Sequence, residues 1–436
     1  MIGLLLALVF ACLFAVARAQ PQPTPIRVLM PASFADATAD QVREFNQSQG
    51  RLQIQIARGP VDPDAMADLA ISSLLLGDTP YDAMMVDISQ LTKFVAAKWL
   101  EPLEGWFGND YFESMVPGAR QGNAFDGHIW RVPFTADMGL LYWRTDLMEQ
   151  PPQTPEQLVA VTQDLQRQGK VRWGYIWQGR QYEGLSCVVL EALDAFGARW
   201  WQPANGASGA DPTTVGAPAM WETGSTHLDS PAAERAAAWL DKLVTSGITP
   251  EAVANYAEAE ALSAFAAGDA ALMRNWPYAW RELERMGSPV VGKVGVTTVV
   301  GRPGEQGSGT LGSWGLSMLT GVPHPEKTAE VIRWFSSPDF QRRMAVSAGY
   351  PPTWRALYEE EELKRQVPML AVEQQALENP VERPPTPLYA QLSDVVQRQV
   401  NGMLTRHGNP GATMARAQQQ SELVLRSAAG TPQEAS

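Results

Sequence analysis

Ile26-Arg27-Val28-Leu29-Met30, Leu52-Gln53-Ile54-Gln55-Ile56 and Ala83-Met84-Met85-Val86-Asp87 are the three short stretches that decide the fold. The first and third are nearly unbroken apolar runs, as strands buried on both faces require. The second alternates apolar with polar, the period of a half-buried strand. Between them lie two helical patterns. Residues Asp36 to Asn46 carry the apolar Val42 and Phe45. Asp62-Pro63 opens the next in the cap-then-proline manner, running to Leu76 and stopped by Gly77. Strand–helix–strand–helix–strand at this spacing predicts an α/β fold with a parallel sheet. Ligands of such sheets bind beyond the carboxyl ends of the strands, and Asp87 stands at one of those ends.

The chain has 436 residues, too many for a single core, so two lobes are expected. Hydrophobic residues make up 45% and charged residues 19%, which argues against disorder. The net charge of −13, with no basic block anywhere, argues against nucleic acid as a partner. Fifteen tryptophans are a surplus that suits flat apolar ligand faces.

Residues 1–19 read as a secretory signal: Ile2 to Val16 is almost wholly apolar, and Ala17-Arg18-Ala19 offers a small-x-small cleavage site. The run is shorter than the ~20 residues a membrane span needs. The expected location is therefore exported and periplasmic, with a lipid anchor at Cys12 as the alternative. Removal of the signal leaves Cys187 alone, so neither an intrachain disulfide nor a cysteine metal site is expected. Residues 20–25 form a proline-rich spacer with no core to join.

Farther along, Asp126 to Arg144 reads as loop and then an extended run with Asp137 inside it, a strand crossing between lobes. Thr154-Pro155-Glu156-Gln157 is a capping box that starts a helix. Trp173 to Trp177 reads as strand, Tyr182 to Phe196 as helix and Pro203 to Thr226 as a polar surface loop. A helical run is expected from Tyr256 to Ala271. Gly301 to Gly312 holds five glycines in twelve residues, a loop or hinge. Pro384-Pro385-Thr386-Pro387 is a rigid elbow after Arg383, and amphipathic helices finish the chain.

Two aromatic turns supply the candidate site. In Arg274-Asn275-Trp276-Pro277-Tyr278-Ala279-Trp280 the proline pushes Trp276 toward extended geometry and ends any helix there. Three aromatics within five residues are then poorly placed to be ordinary core. Gly312-Ser313-Trp314-Gly315 is the second turn. Together they suggest walls of an apolar cleft with polar groups between, suited to a sugar. Asp87 and Asp137 could each accept hydroxyl hydrogen bonds, and charged acceptors make the stronger ones. Arg383 would offer a planar fork of donors. Each has a plainer reading: Asp87 as a helix cap, Asp137 as partner to a backbone turn, Arg383 as a surface charge. The same two carboxylates could also serve a glycoside hydrolase as an acid–base pair. Nucleophile elbows, phosphate loops and metal-binding spacings are absent from the sequence, so no cofactor, no metal and no catalytic residue is assigned.

Several strings resemble extracellular solute-binding proteins of sugar ABC importers, most of all the trehalose/maltose-binding branch. They are the run Phe134 to Leu147, Gln178-Gly179-Arg180-Gln181-Tyr182-Glu183-Gly184-Leu185, Arg274 to Trp280, and Leu311-Gly312-Ser313-Trp314. The likeness covers roughly Ile26 to Ser427. It implies two α/β lobes joined by a hinge of crossing strands, with a disaccharide between them. Lobe 1 would be 26–135 and 303–345, lobe 2 would be 136–302 and 346–430. By position it implies that Asp87 and Asp137 hold sugar hydroxyls and that Trp276, Tyr278 and Trp314 stack on the rings. Gly312 and Ser313 would give a backbone contact, and Arg383 matches a family arginine. Thr135 stands where that branch has tyrosine, and no acidic residue aligns near Phe34, although Asp36 lies close. The ligand implied is an α-glucoside: trehalose, maltose, sucrose or glucosylglycerol. The implied partners are that sugar and ABC permease subunits, with the binding protein a monomer. A ligand-sensing partner of a membrane receptor would use the same site with a different docking surface.

Overall fold

The computed structural model describes residues 22–76, 80–120, 122–125, 127–203 and 224–429. The expected signal sequence, Gly77 and most of the loop expected after Pro203 lie outside the described residues.

Strand β1 (Thr24–Pro31) pairs in parallel with β2 (Leu52–Gly59) and β3 (Ala83–Asp87), with helix α1 (Ala32–Ser48) joining the first two and α2 (Pro63–Leu75) the next. The sequence-predicted parallel start is therefore present. Two later strands complete the sheet: a strand at 314–318 pairs antiparallel with β3, and β4 (Val132–Pro133) pairs antiparallel with that strand, so it runs in the sense of β3. Asp62 caps α2 through Oδ1, which accepts from the backbone N–H groups of Asp64 and Ala65 at 3.1 Å. The spacer reading of 20–25 is corrected at its end. Thr24 and Pro25 belong to β1, in register with Leu52 and Gln53, because the edge of β2 offers backbone partners that the sequence alone does not reveal.

After β4 the chain crosses through β5 (Asp137–Met138) into β6 (Leu140–Arg144), the centre of a second sheet. That sheet takes β7 (Trp173–Ile176), then, beyond helix α3 (Glu183–Ala195) and α4 (Glu258–Ala266), β8 (Ala270–Asn275) and β9 (Val294–Thr298), in the order β9-β6-β8-β7. The helix expected over 256–271 is thus shorter. Gly268, at φ +85°, stops it, and Ala270 and Ala271 enter a strand with no exposure at all. Arg274 and Asn275 are the end of that strand, and a short helix resumes at Ala279–Leu283.

The return crossing is β10 (Leu311–Gly312), paired antiparallel with β5 so that Gly312 faces Asp137, and it leads into β11 (Trp314–Met318) of the first sheet. Alternate residues of the second sheet separate by face. Tyr142, Ile176 and Met273 join the cluster that contains the first sheet's core, whereas Leu141, Tyr175 and Leu272 pack in a second cluster. Within 346–430, Leu357, Leu363 and Leu370 pack in the larger cluster, and Tyr389, Val396 and Val400 in the second. Two lobes, two antiparallel crossings and a cleft between them follow from this path.

Candidate ligand-binding site

Each wall of the cleft is built where a strand ends. Asp87 closes β3, and the register sets Trp314, the first residue of β11, directly opposite it. Asp87 Oδ1 accepts from Ser89, backbone N–H at 2.9 Å and hydroxyl at 2.6 Å, and lies 3.4 Å from Arg383 Nη1. The capping alternative for Asp87 does not hold, since Gln90 is the N-cap of the next helix and no side chain caps it; Asp87 instead braces the turn through Ser89.

Asp137 sits on the crossing strand β5. Its hydrogen bond comes from Thr135 Oγ1 at 3.3 Å, and burial pushes its carboxyl up to about 8, with the charge of Asp87 acting in the same direction. An acid so placed is short of donors, and a hydroxyl-bearing ligand would supply them.

Trp276 leaves the end of β8. Asn275 Oδ1 accepts its backbone N–H at 2.8 Å, and Tyr142 Oη donates to the backbone oxygens of Trp276 and Pro277 at 2.8 and 3.2 Å. The turn is thereby held although it is no regular element. The indole Nε1 donates to Glu258 Oε1 at 3.1 Å. The edge of the ring reaches the opposite crossing strand: a Cβ on Gly312 would come within 2.7 Å of it. Glycine at 312 is thus a matter of space. Phe34 packs 4.6 Å from Tyr350, nearly parallel, and 5.7 Å from Trp314.

Arg383 is buried between the lobes. Its Nε lies 2.8 Å from Glu183 Oε1, Nη1 donates to Leu311 O at 3.3 Å, and Nη2 lies 3.2 Å from Cys187 Sγ. Glu183 also accepts from Tyr389 Oη at 2.5 Å and Ser393 Oγ at 2.7 Å, yet burial outweighs these and raises its carboxyl to about 7. The surface-charge reading of Arg383 does not hold, because its side chain is only 7% exposed.

These walls enclose a cavity of about 440 Å³, within the range of small-molecule sites. Asp87, Asp137, Trp276, Tyr278, Gly312, Trp314 and Arg383 line it. Thr135 and Ser313 do not line it and have no exposure. Thr135 stands behind Asp137, and Ser313 donates to Thr135 O at 3.0 Å while its own carbonyl takes Arg131 Nη1 at 2.6 Å. They support the wall instead of forming it. Asp36 turns to the surface and pairs with Arg58.

The lining also holds residues not chosen from the sequence: Phe34, Asp62, Arg180, Tyr182, Glu183, Cys187, Glu258 and Tyr350. Arg180, Tyr182 and Glu183 lie in the string 178–185, so a signal existed. Asp62 was legible only as a helix cap, and nothing local distinguishes Phe34 or Tyr350 from ordinary core. Arg180 lies over the ring of Tyr182 at 4.4 Å and reaches across the cleft to within 3.7 Å of Asp62.

Comparison with known proteins agrees with this architecture. A probable ABC transporter-binding protein of Deinococcus radiodurans is 30% identical over 373 residues, 83% of this chain and 84% of its own length. The maltose-bound structure of MalE3 from T. maritima superposes with a TM-score of 0.82 at 30% identity, covering 92% of this chain and all of that one. A ribitol complex of an ABC transporter solute-binding protein from Agrobacterium radiobacter shares the fold, with a TM-score of 0.77 at 20% identity over 92% of this chain and 99% of its own. Residues 40–371 match the family model for bacterial extracellular solute-binding proteins, and the chain belongs to that family.

Proposed function

We propose that this protein is the substrate-binding component of an ABC importer, exported to the periplasm, where it captures an α-glucoside and delivers it to membrane permease subunits. The observation that carries the reading is the composition of the interlobe cavity. Trp276, Tyr278 and Trp314 give apolar faces for sugar rings, and the Asp87 and Asp137 carboxyls give hydrogen-bonding partners for hydroxyls between them. The similarity to maltose-bound MalE3 supports a glucoside over the linear polyols found in more distant neighbours. Contacts come from both lobes, so a ligand would favour the closed arrangement by its differential contacts. The hydrolase alternative is weaker here, because Asp87 is already engaged by Ser89 and Arg383.

A calorimetric panel of trehalose, maltose, sucrose and glucosylglycerol, with mannitol and ribitol as controls, tests the reading. Retention of one glucoside, unaltered and with a Kd of about micromolar, is expected. Turnover of the sugar, or preference for a polyol, overturns it.

A further inference from the structure

Both crossings between the lobes press on one buried ion pair. Arg274 of β8 and Glu191 of α3 meet in two prongs, Nη2 to Oε1 at 2.6 Å and Nε to Oε2 at 3.0 Å, with side chains 0% and 7% exposed. The outgoing crossing comes closest at Gly139. A Cβ there would collide with Glu191 Oε1 and stand 2.6 Å from Arg274 Nη2, so backbone without a side chain lies directly on the pair. The return crossing meets the same oxygen, since the Thr310 N–H donates to Glu191 Oε1 at 3.0 Å. Thr310 is further fixed to α3 by its hydroxyl, which donates to Cys187 O at 2.9 Å.

The pair also touches the ligand wall. The Arg274 guanidinium carbon lies 4.1 Å from the centre of the Trp276 ring. Gln178 Nε2 donates to Arg274 O at 3.0 Å, which joins the pair to the string that carries Tyr182 and Glu183 into the cavity. Neither Arg274 nor Glu191 lines the cavity. An ion pair that only filled core would have no reason to meet both interlobe strands and the stacking aromatic at once. Water competes little at such depth, so the geometry of the pair is firm, and loss of one partner leaves a buried charge.

We infer that Arg274 and Glu191 are positioning residues for the cleft: they anchor both crossing strands to the second lobe and hold Trp276 in register with Asp137 and Gly312 on those strands. The part of this inference that concerns ligand rests on the importer reading; the anchoring part does not.

The test uses Glu191→Gln, which keeps the shape and the acceptor for Thr310 but removes the charge, and Gly139→Ala, which keeps both charged groups but forces a methyl against them so that they must shift. Spin labels at Leu75→Cys and Met286→Cys, exposed positions on opposite lobes, report the interlobe distance without ligand. Maltose, as the probe, is titrated by calorimetry, alone and in a Trp276→Ala background. Expected are a broadened distance distribution in both variants, an affinity loss of tenfold or more, and a much smaller loss, under threefold, once Trp276 is absent. An unchanged distance distribution in a folded variant overturns the anchor. An equal affinity loss with and without Trp276 overturns the coupling to that wall. Should the unmodified protein bind no maltose, the importer reading is at fault for that sugar, and the distances still decide the anchor. If Glu191→Gln does not fold, Gly139→Ala carries both measurements.

Discussion

Arg383 and Glu183 form a buried ion pair across the back of the cleft, Nε to Oε1 at 2.8 Å, in which the arginine comes from the segment before the proline elbow and the glutamate from the first turn of α3. The same guanidinium touches Asp87 on the first lobe. Nη1 and Nη2 are therefore already hydrogen-bonded inside the protein. This relationship changes what its removal should do.

Arg383→Ala would leave Glu183 buried without its cation. A stability loss of about 3–5 kcal/mol is expected, the usual cost of breaking such a pair from one side. Denaturant unfolding of the sugar-free protein measures it. A loss of affinity with unchanged stability would instead make Arg383 chiefly a ligand donor.

Trp276→Ala removes a stacking face and should weaken sugar binding by about 2–4 kcal/mol. Because the ring is only half-buried and lines the cavity, the melting temperature should change little. Gly312→Ala should act on the same ring from the other side, costing about 1–3 kcal/mol in affinity by displacing it. Calorimetry on the two variants checks both. Normal affinity in Gly312→Ala would mean the ring yields without consequence.

The carboxyl of Asp137, raised by burial from an ordinary 3.8 to about 8, ties stability to pH. Between those values the folded protein holds a proton that the unfolded chain releases. Stability from this group is therefore fully present below about pH 4 and lost as pH rises through about 8. Glu373, raised to about 8 by burial and by Asp137, acts in the same sense. Asp137→Asn should flatten the decline between pH 5 and pH 8 relative to the parent, in urea unfolding of the sugar-free protein. Parallel pH profiles would show that Asp137 is ionised in the free protein.

Thr135→Val deletes the hydroxyl that lies 3.3 Å from Asp137 Oδ1 and 3.1 Å from Pro351 O. With that donor gone, the proton affinity of Asp137 should rise further, followed by carbon NMR titration of the carboxyl. The stability cost should be about 1 kcal/mol, typical of one hydrogen bond. A titration identical to the parent would remove Thr135 from the support of the site.

The sequence by itself determined the strand–helix start, the crossing at Asp137, the glycine-rich return before Trp314 and the two aromatic turns. Those signals are local: apolar period, a proline that forbids helix, a helix cap whose partners lie within three residues. It also picked out several side chains that line the cavity, since a tryptophan before proline or a charge inside a strand stands out against its neighbours. Tertiary structure alone decided which side chains reach the cavity. Thr135 and Ser313 are two and one residues from lining side chains, yet their hydroxyls are buried behind the wall, held by Pro351 O and Thr135 O. Phe34 and Tyr350 are some three hundred positions apart in the chain and meet only when α1 and the loop after residue 348 pack together. The pairing of Arg274 with Glu191, and of Arg383 with Glu183, likewise depends on depth of burial and distance. Neither quantity is written in the order of residues.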